Sequence, residues 1–208
     1  MNCNGRSYAI LGCLLVLPGC SGASGEGGSP TGVQPDRDWS SLDEGPVMRA
    51  AHAILIGKQG EENADADALR AAAQTLAGLG ARPDAEEQED LSRRWGEQAK
   101  RIDPLTTLPV YRGRALGPSY QKGTVSAVSK VSTDQIFLAG KKASVALVPV
   151  SSKPMSIRIF DDQGKNICSQ STSSKPANCQ WLPLFTERYR INIHTSESRP
   201  VNYYLVSN

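Results

Sequence analysis

The chain has 208 residues, 23 of them Lys or Arg and 21 Asp or Glu, and only His52 and His194 are available as imidazole bases. Its near-neutral total hides a segregation, because residues 36–104 hold 15 acidic and 9 basic side chains whereas residues 105–208 hold 5 acidic and 13 basic. A basic half of this kind can meet phosphate, anionic lipid or an acidic partner, but its Lys and Arg are scattered singly and no groove-reading motif accompanies them, which argues against nucleic acid.

Arg6 and the terminal amine precede an apolar run from Tyr8 to Leu17. The run is too short to cross a bilayer as a helix and reads as a removable signal over residues 1–19. Leu17-Pro18-Gly19-Cys20 resembles a lipobox. That resemblance implies a diacylglycerol group on the Cys20 sulfur, membrane attachment through it, and cleavage that makes Cys20 the first residue. The alternative box, Ile10-Leu11-Gly12-Cys13, leaves only about half of the usual ~7–15 apolar residues ahead of the cysteine. Ser21 stands where Asp favours inner-membrane retention, so the same resemblance implies the outer membrane of a cell envelope. Residues 20–38 are rich in Gly, Ser and Pro and read as a flexible tether. Its roughly 18 residues allow a mean reach of roughly 20–25 Å.

Residues 39–104 read as a helical module of about three helices. Ser41-Leu42-Asp43-Glu44 resembles a capping box ahead of Val47, Ala50, Ala51, Ile54 and Leu55, and Gly57 and Gly60 are expected to stop this first helix. A second helix is expected over about Glu61 to Ala77, ending at Gly78-Leu79-Gly80. The third begins near Pro83-Asp84, presents Leu91, Trp95, Ala99 and Ile102 on one face and ends before Pro104, with Trp95 filling the space between the three. His52 has no carboxylate or cysteine partner suggested by the pattern and reads as structural.

Residues 105–208 change to a period of two. Met155, Ile157 and Ile159 alternate with polar neighbours, as do Tyr189, Ile191 and Ile193, whereas Val145 to Val150 is apolar throughout and reads as more fully buried. Asp161-Asp162-Gln163-Gly164 reads as a hairpin connection with Gly at positive φ. Short strands separated by turns in this way form an antiparallel sandwich. Cys3 and Cys13 leave with the signal and Cys20 takes the lipid, so Cys168 and Cys179 remain as a pair in an oxidising compartment and are expected to form a disulfide between neighbouring strands.

The order Gly123-Thr124-Val125, Asp134 to Lys141, Ser156 to Gly164 and Thr186 to Ile191 resembles the bacterial pre-peptidase C-terminal domain family over roughly Tyr120 to Val206. The resemblance implies a jelly-roll-like β-sandwich that binds substrates or assists export and carries no chemistry of its own. The fold class is thus read as α+β, a helical module followed by a jelly-roll-like sandwich.

No nucleophile elbow, zinc helix, phosphate loop or dinucleotide fingerprint occurs, so no catalytic residue, cofactor or metal site is assigned. Asp161 and Asp162 are read as turn formers, since calcium needs ~6–8 oxygen ligands that the sequence does not gather. His194 alternates outward. Trp181 is expected to pack against the disulfide, and of the adjacent Tyr203 and Tyr204 one is expected in the core and the other in solvent. The function expected is a lipid-anchored, non-catalytic binding or scaffolding module with an envelope protein or surface polymer as partner. The alternative is an envelope enzyme or enzyme inhibitor with its site at the junction of the helical and β modules.

Overall fold

A computed structural model describes residues 44–107, 117–172 and 175–208. The signal, Cys13, Cys20, the tether and Ser41 to Asp43 lie outside the described residues.

Helix α1 spans Pro46–Asn63, with Pro46 in its first turn, where a missing N–H costs nothing. Gly57 and Gly60 do not stop it. Both are buried inside the helix, and a Cβ built on Gly57 would lie 2.4 Å from the Trp95 ring, so the glycine is there to let the indole approach the backbone. The helix ends at Ala64, in the left-handed conformation, and Asp65 then starts α2, Ala66–Leu79, by accepting hydrogen bonds from the Asp67 and Ala68 N–H groups at 3.0 Å. Glu61 therefore belongs to α1, and the second helix starts five residues later than expected. Gly80, at φ 64°, closes α2 through backbone bonds to Leu76 and Ala77.

Helix α3 spans Leu91–Ile102 and is capped by Asp90, whose carboxylate accepts from Ser92 N at 2.9 Å and Arg93 N at 3.3 Å. Its expected start near Pro83 is occupied instead by a two-residue strand, β1 (Arg82–Pro83), which runs parallel to Ser119 and Tyr120. Proline is tolerated because β1 is an edge strand.

The remaining strands are β2 (Ser119–Val125), β3 (Lys130–Phe137), β4 (Ala143–Pro149), β5 (Ser156–Phe160), β6 (Asn166–Ser171), β7 (Ala177–Trp181), β8 (Glu187–His194) and β9 (Val201–Ser207). They form a sandwich of a five-stranded sheet, β1-β2-β9-β4-β7, and a four-stranded sheet, β3-β8-β5-β6, antiparallel except for the β1/β2 pair. Alternation on β5 and β8 sends Ile157, Ile159, Tyr189, Ile191 and Ile193 inward, as the period of two predicts. They meet Val145, Leu147, Tyr203 and Leu205 from the facing sheet.

The outer face of the five-stranded sheet is not wet. Tyr120, Ala146, Val148, Tyr204 and Val206 project from it into a second core with Val47, Ile54, Leu69, Leu76 and Trp95 of the helices. Every residue of β4 is buried for this reason. Tyr203 and Tyr204 do point to opposite faces, but at 5% and 3% exposure both are core residues, because helices cover the face expected to be in solvent. The change of pattern near residue 104 is thus a change of secondary structure within one compact unit that holds all the described residues.

Cys168 and Cys179 are joined, with Cα atoms 5.9 Å apart. Their strands are sequence neighbours but lie in different sheets, β6 at an edge of one and β7 at an edge of the other, so the bridge ties the two sheets together.

Three outcomes are expected. Gly57→Ala should destabilise by about 1–3 kcal/mol through overpacking against Trp95, whereas Gly78→Ala in α2, where an added Cβ meets nothing within 4 Å, should stabilise by roughly 0.5–1 kcal/mol; chemical denaturation of both variants reads the opposite signs. Replacing either bridged cysteine by Ser should cost about 2–3 kcal/mol, the value for closing so short a loop, and the unreduced, denatured wild type should show no thiol at these positions on labelling. Burial raises Tyr189 to about 12 and also raises Tyr120, Tyr203 and Tyr204 above the ordinary 10.0. Above pH 10 the unfolded chain therefore binds fewer protons than the folded one, so thermal stability should fall as pH rises from about 10 towards 12.

Candidate binding face

The outer surface of the four-stranded sheet is the one broad sheet face that no described helix covers. Strand alternation decides what it presents: Lys130, Ser132, Asp134 and Ile136 from β3, Arg188, Arg190, Asn192 and His194 from β8, and Ser156, Arg158 and Phe160 from β5. Register arranges them in rows across the sheet. Lys130, His194 and Ser156 share one, Ser132, Asn192 and Arg158 the next, and Asp134, Arg190 and Phe160 the third.

Cations outnumber anions on this face. Lys130, Arg158, Arg188 and Arg190 are all exposed, and Asp134 is the one carboxylate on the three strands' outward positions. Asp134 Oδ1 lies 3.4 Å from Arg190 Nε and its Oδ2 4.0 Å from Arg188 Nη1, which holds these two guanidinium groups side by side. Such exposed pairs contribute little to stability, so their value lies in placing donors. Ser132 Oγ donates to Asn192 Oδ1 at 2.6 Å. Lys130 and Arg158 have no carboxylate partner among the described residues. At the hairpin end the face dips into a hollow of about 450 Å³ where Asp134, Asp161 and Asp162 stand with Arg188 and Arg190, so the cationic surplus of the face lies towards Lys130 and Arg158.

Asp161 is occupied as a turn former. Its Oδ1 accepts from Gln163 N at 3.1 Å and Lys165 N at 2.8 Å, and Gly164 has φ 79°, in agreement with the hairpin expected from sequence. Among the described residues no group of three or more His, Cys, Asp or Glu is placed to hold a metal ion. His194 is exposed at the end of β8, as its alternation predicts.

His52 departs from the sequence reading. Its Nδ1 lies 2.9 Å from Glu44 Oε2, so it does have a carboxylate partner, eight residues earlier across the helix start. The adjoining hollow, about 290 Å³, contributes Thr75 as its hydroxyl, and that hydroxyl donates to Ala71 O at 2.9 Å within its own helix. A nucleophile with imidazole behind it is not assembled there.

The junction between helices and sandwich is filled by Trp95, Tyr120 and Tyr204. Its polar groups converge on Glu61 and Tyr120: Trp95 Nε1 donates to Glu61 Oε1 at 2.8 Å, Arg94 and Lys58 pair with the same carboxylate, and Leu91 N donates to Tyr120 Oη at 2.8 Å, while Arg94 Nε stays buried without a partner. Burial opposes the charge on Glu61, but the hydrogen bonds from Lys58 and Trp95 and the charge of Arg94 together outweigh it and hold this carboxyl below its usual range. Glu61 is therefore an ionised clamp with no proton to give at neutral pH.

Trp181 is half-buried, and its ring meets Phe137 at 4.8 Å and Tyr189 at 5.1 Å between centroids. These three rings form the floor beneath the β7–β8 loop. Sequence reasoning assigned none of the basic-face residues. Their outward alternation was visible, but the single scattered charges gave no sign of which sheet the helices would leave open.

No protein-family model matches the chain, and no curated protein matches it. Among solved structures it is similar to the pre-peptidase C-terminal domain of collagenase from Bacillus anthracis, at 9% identity and a TM-score of 0.38, over 43% of this chain and 87% of that one. It is also similar to PliG, a periplasmic inhibitor of g-type lysozyme from Aeromonas hydrophila, at 15% identity and a TM-score of 0.37, over 44% of this chain and 84% of that one. A third likeness is to the carbohydrate-binding module CBM36 solved with calcium and xylotriose, at 14% identity and a TM-score of 0.27, over 41% of this chain and 78% of that one.

Proposed function

We propose that this chain is a lipid-anchored protein of the cell envelope, attached to the outer membrane through Cys20, and that it acts as a non-catalytic binding module for an anionic surface polymer. The observation that carries the binding reading is the asymmetry of the sandwich: one outer face is buried under helices, while the other is open and displays Lys130, Arg158, Arg188 and Arg190 against Asp134. Rows of exposed donors on a rigid sheet suit a repeating ligand rich in acceptor oxygens, and the cationic surplus favours one with phosphate or carboxylate groups. The anchoring reading is supported by Leu17-Pro18-Gly19-Cys20 and by the Gly/Ser/Pro composition that follows it.

Two experiments test these parts separately. In titrations with acidic polysaccharide extracted from envelopes, Lys130→Glu/Arg158→Glu should weaken binding at least tenfold, on the order expected for reversing two exposed charges, and salt should weaken the wild type. Equal affinity for a neutral dextran, or unchanged affinity in the double variant, contradicts the binding face. Cys20→Ala should release the protein from membranes in cell fractionation. Release by Cys13→Ala instead, or by neither change, contradicts the anchor at Cys20.

A further inference from the structure

Beyond the basic face, one end of the sandwich carries an apolar tip. Leu182, Leu184 and Phe185 in the β7–β8 loop are 61%, 80% and 72% exposed, and Leu138 at the end of β3 is 49% exposed. The two loops are fixed to each other: Ala139 N donates to Thr186 Oγ1 at 3.0 Å, and Gly140 N donates to Pro183 O at 2.9 Å. Below them lie the packed rings of Phe137, Trp181 and Tyr189. The apolar side chains are thus held outward by a rigid base.

Lys141 and Lys142 continue directly from this tip and are exposed. Asn208 pins their turn, donating from Nδ2 to Lys142 O at 2.8 Å and accepting from Ser144 N at 2.9 Å. The hollow lined by Leu182, Leu184 and Phe185 also holds Asp161, Asp162 and Glu187 against Lys165, so the cationic flank is the one formed by Lys141 and Lys142.

We propose that this tip docks into the interface of an anionic lipid bilayer, with Leu182, Leu184 and Phe185 entering the headgroup–acyl boundary and Lys141 and Lys142 resting on the headgroups. Projecting side chains of this kind suit a fluid phase that needs no shape complement, with penetration of ~5–10 Å. They fall well short of the ~20–30 residues a side that a standard protein interface uses. The lysines supply the charge complementarity to anionic headgroups. The proposal is compatible with the anchor proposed at Cys20, but its test does not depend on that anchor.

The test uses a chain starting at Asp38, which retains the whole compact unit and has no lipid site. It should co-sediment with vesicles of phosphatidylglycerol and phosphatidylethanolamine and bind phosphatidylcholine vesicles more weakly. Leu184→Ser/Phe185→Ser and Lys141→Glu/Lys142→Glu should each reduce the partition at least about tenfold. A measurement needing no loop variant is quenching of tryptophan emission by bromine-labelled phosphatidylglycerol, which should be largely lost in Trp181→Phe. Absence of vesicle binding by the unsubstituted chain overturns the proposal, as does binding that the two tip variants leave unchanged. A solution dimer abolished by the tip variants, without vesicle binding, would assign the tip to a second copy of the chain and equally overturn it. Release of Cys20→Ala from cell membranes without vesicle binding by the shortened chain would refute only the tip, whereas vesicle binding by that chain together with membrane attachment that persists in a Cys20→Ala protein carrying the tip substitutions would refute only the lipid anchor.

Discussion

Burial of both faces of the five-stranded sheet is the constraint from which the remaining arrangement follows. β4 and β9 lie between two apolar layers, with Leu147 and Leu205 turned to the sandwich interior and Val148, Tyr204 and Val206 to the helices. Each fully buried side chain of this size contributes roughly 1.5–3 kcal/mol relative to exposure, so the helices are structural partners of the sheet and could not leave it without uncovering a broad apolar surface. The same arrangement determines which surface is free. With one outer face committed to the helices, the outward residues of β3, β8 and β5 form the broad face left open.

The polar joint at Glu61 gives the helices a defined seat. A carboxylate placed between α1 and α3 would be costly alone, but Lys58, Arg94 and the Trp95 indole N–H all converge on it. Trp95 is thereby fixed at both ends, its nitrogen by Glu61 and its ring by the bare backbone of Gly57. Tyr120 extends the joint into the sheet, accepting from Leu91 N at the first turn of α3. This chain of contacts runs from α1 through α3 to β2.

Much of this architecture was legible in the residues. The period-two alternation around Ile157 and Ile191 and the Gly164 turn each follow from local chemistry, and the structure shows them where the pattern places them. The cysteine pair was legible as the two cysteines left once the expected signal and lipid site are set aside, although its bridge runs between sheets. The misreadings share a cause. Gly57 and Gly60 look like helix stops in sequence because their value lies in a long-range contact with Trp95 and Leu69. Pro83 looks like a helix start because its strand partner lies 37 residues later, at Tyr120. One of Tyr203 and Tyr204 looks solvent-facing because the pattern of β9 cannot show that helices from the other end of the sequence cover its second face. The basic face suffers from the same blindness: Arg158 and Arg190 are ordinary outward strand residues until the topology sets them on the uncovered sheet. Nothing in the local pattern marks Leu182, Leu184 and Phe185 as exposed; the tertiary structure is what turns them outward.

The central claim is that helices and sandwich form one cooperative unit built on the shared sheet. Native-state hydrogen exchange measures this most directly, by comparing the opening free energies of amides in α1 and α2 with those in β5 and β8, which belong to the far sheet. One unit predicts that the slowest amides of both regions exchange through the same global opening and respond equally to denaturant. Helical amides that all exchange through a lower-energy opening, while β5 and β8 stay protected, would show that the helices detach from an intact sandwich and would contradict the account.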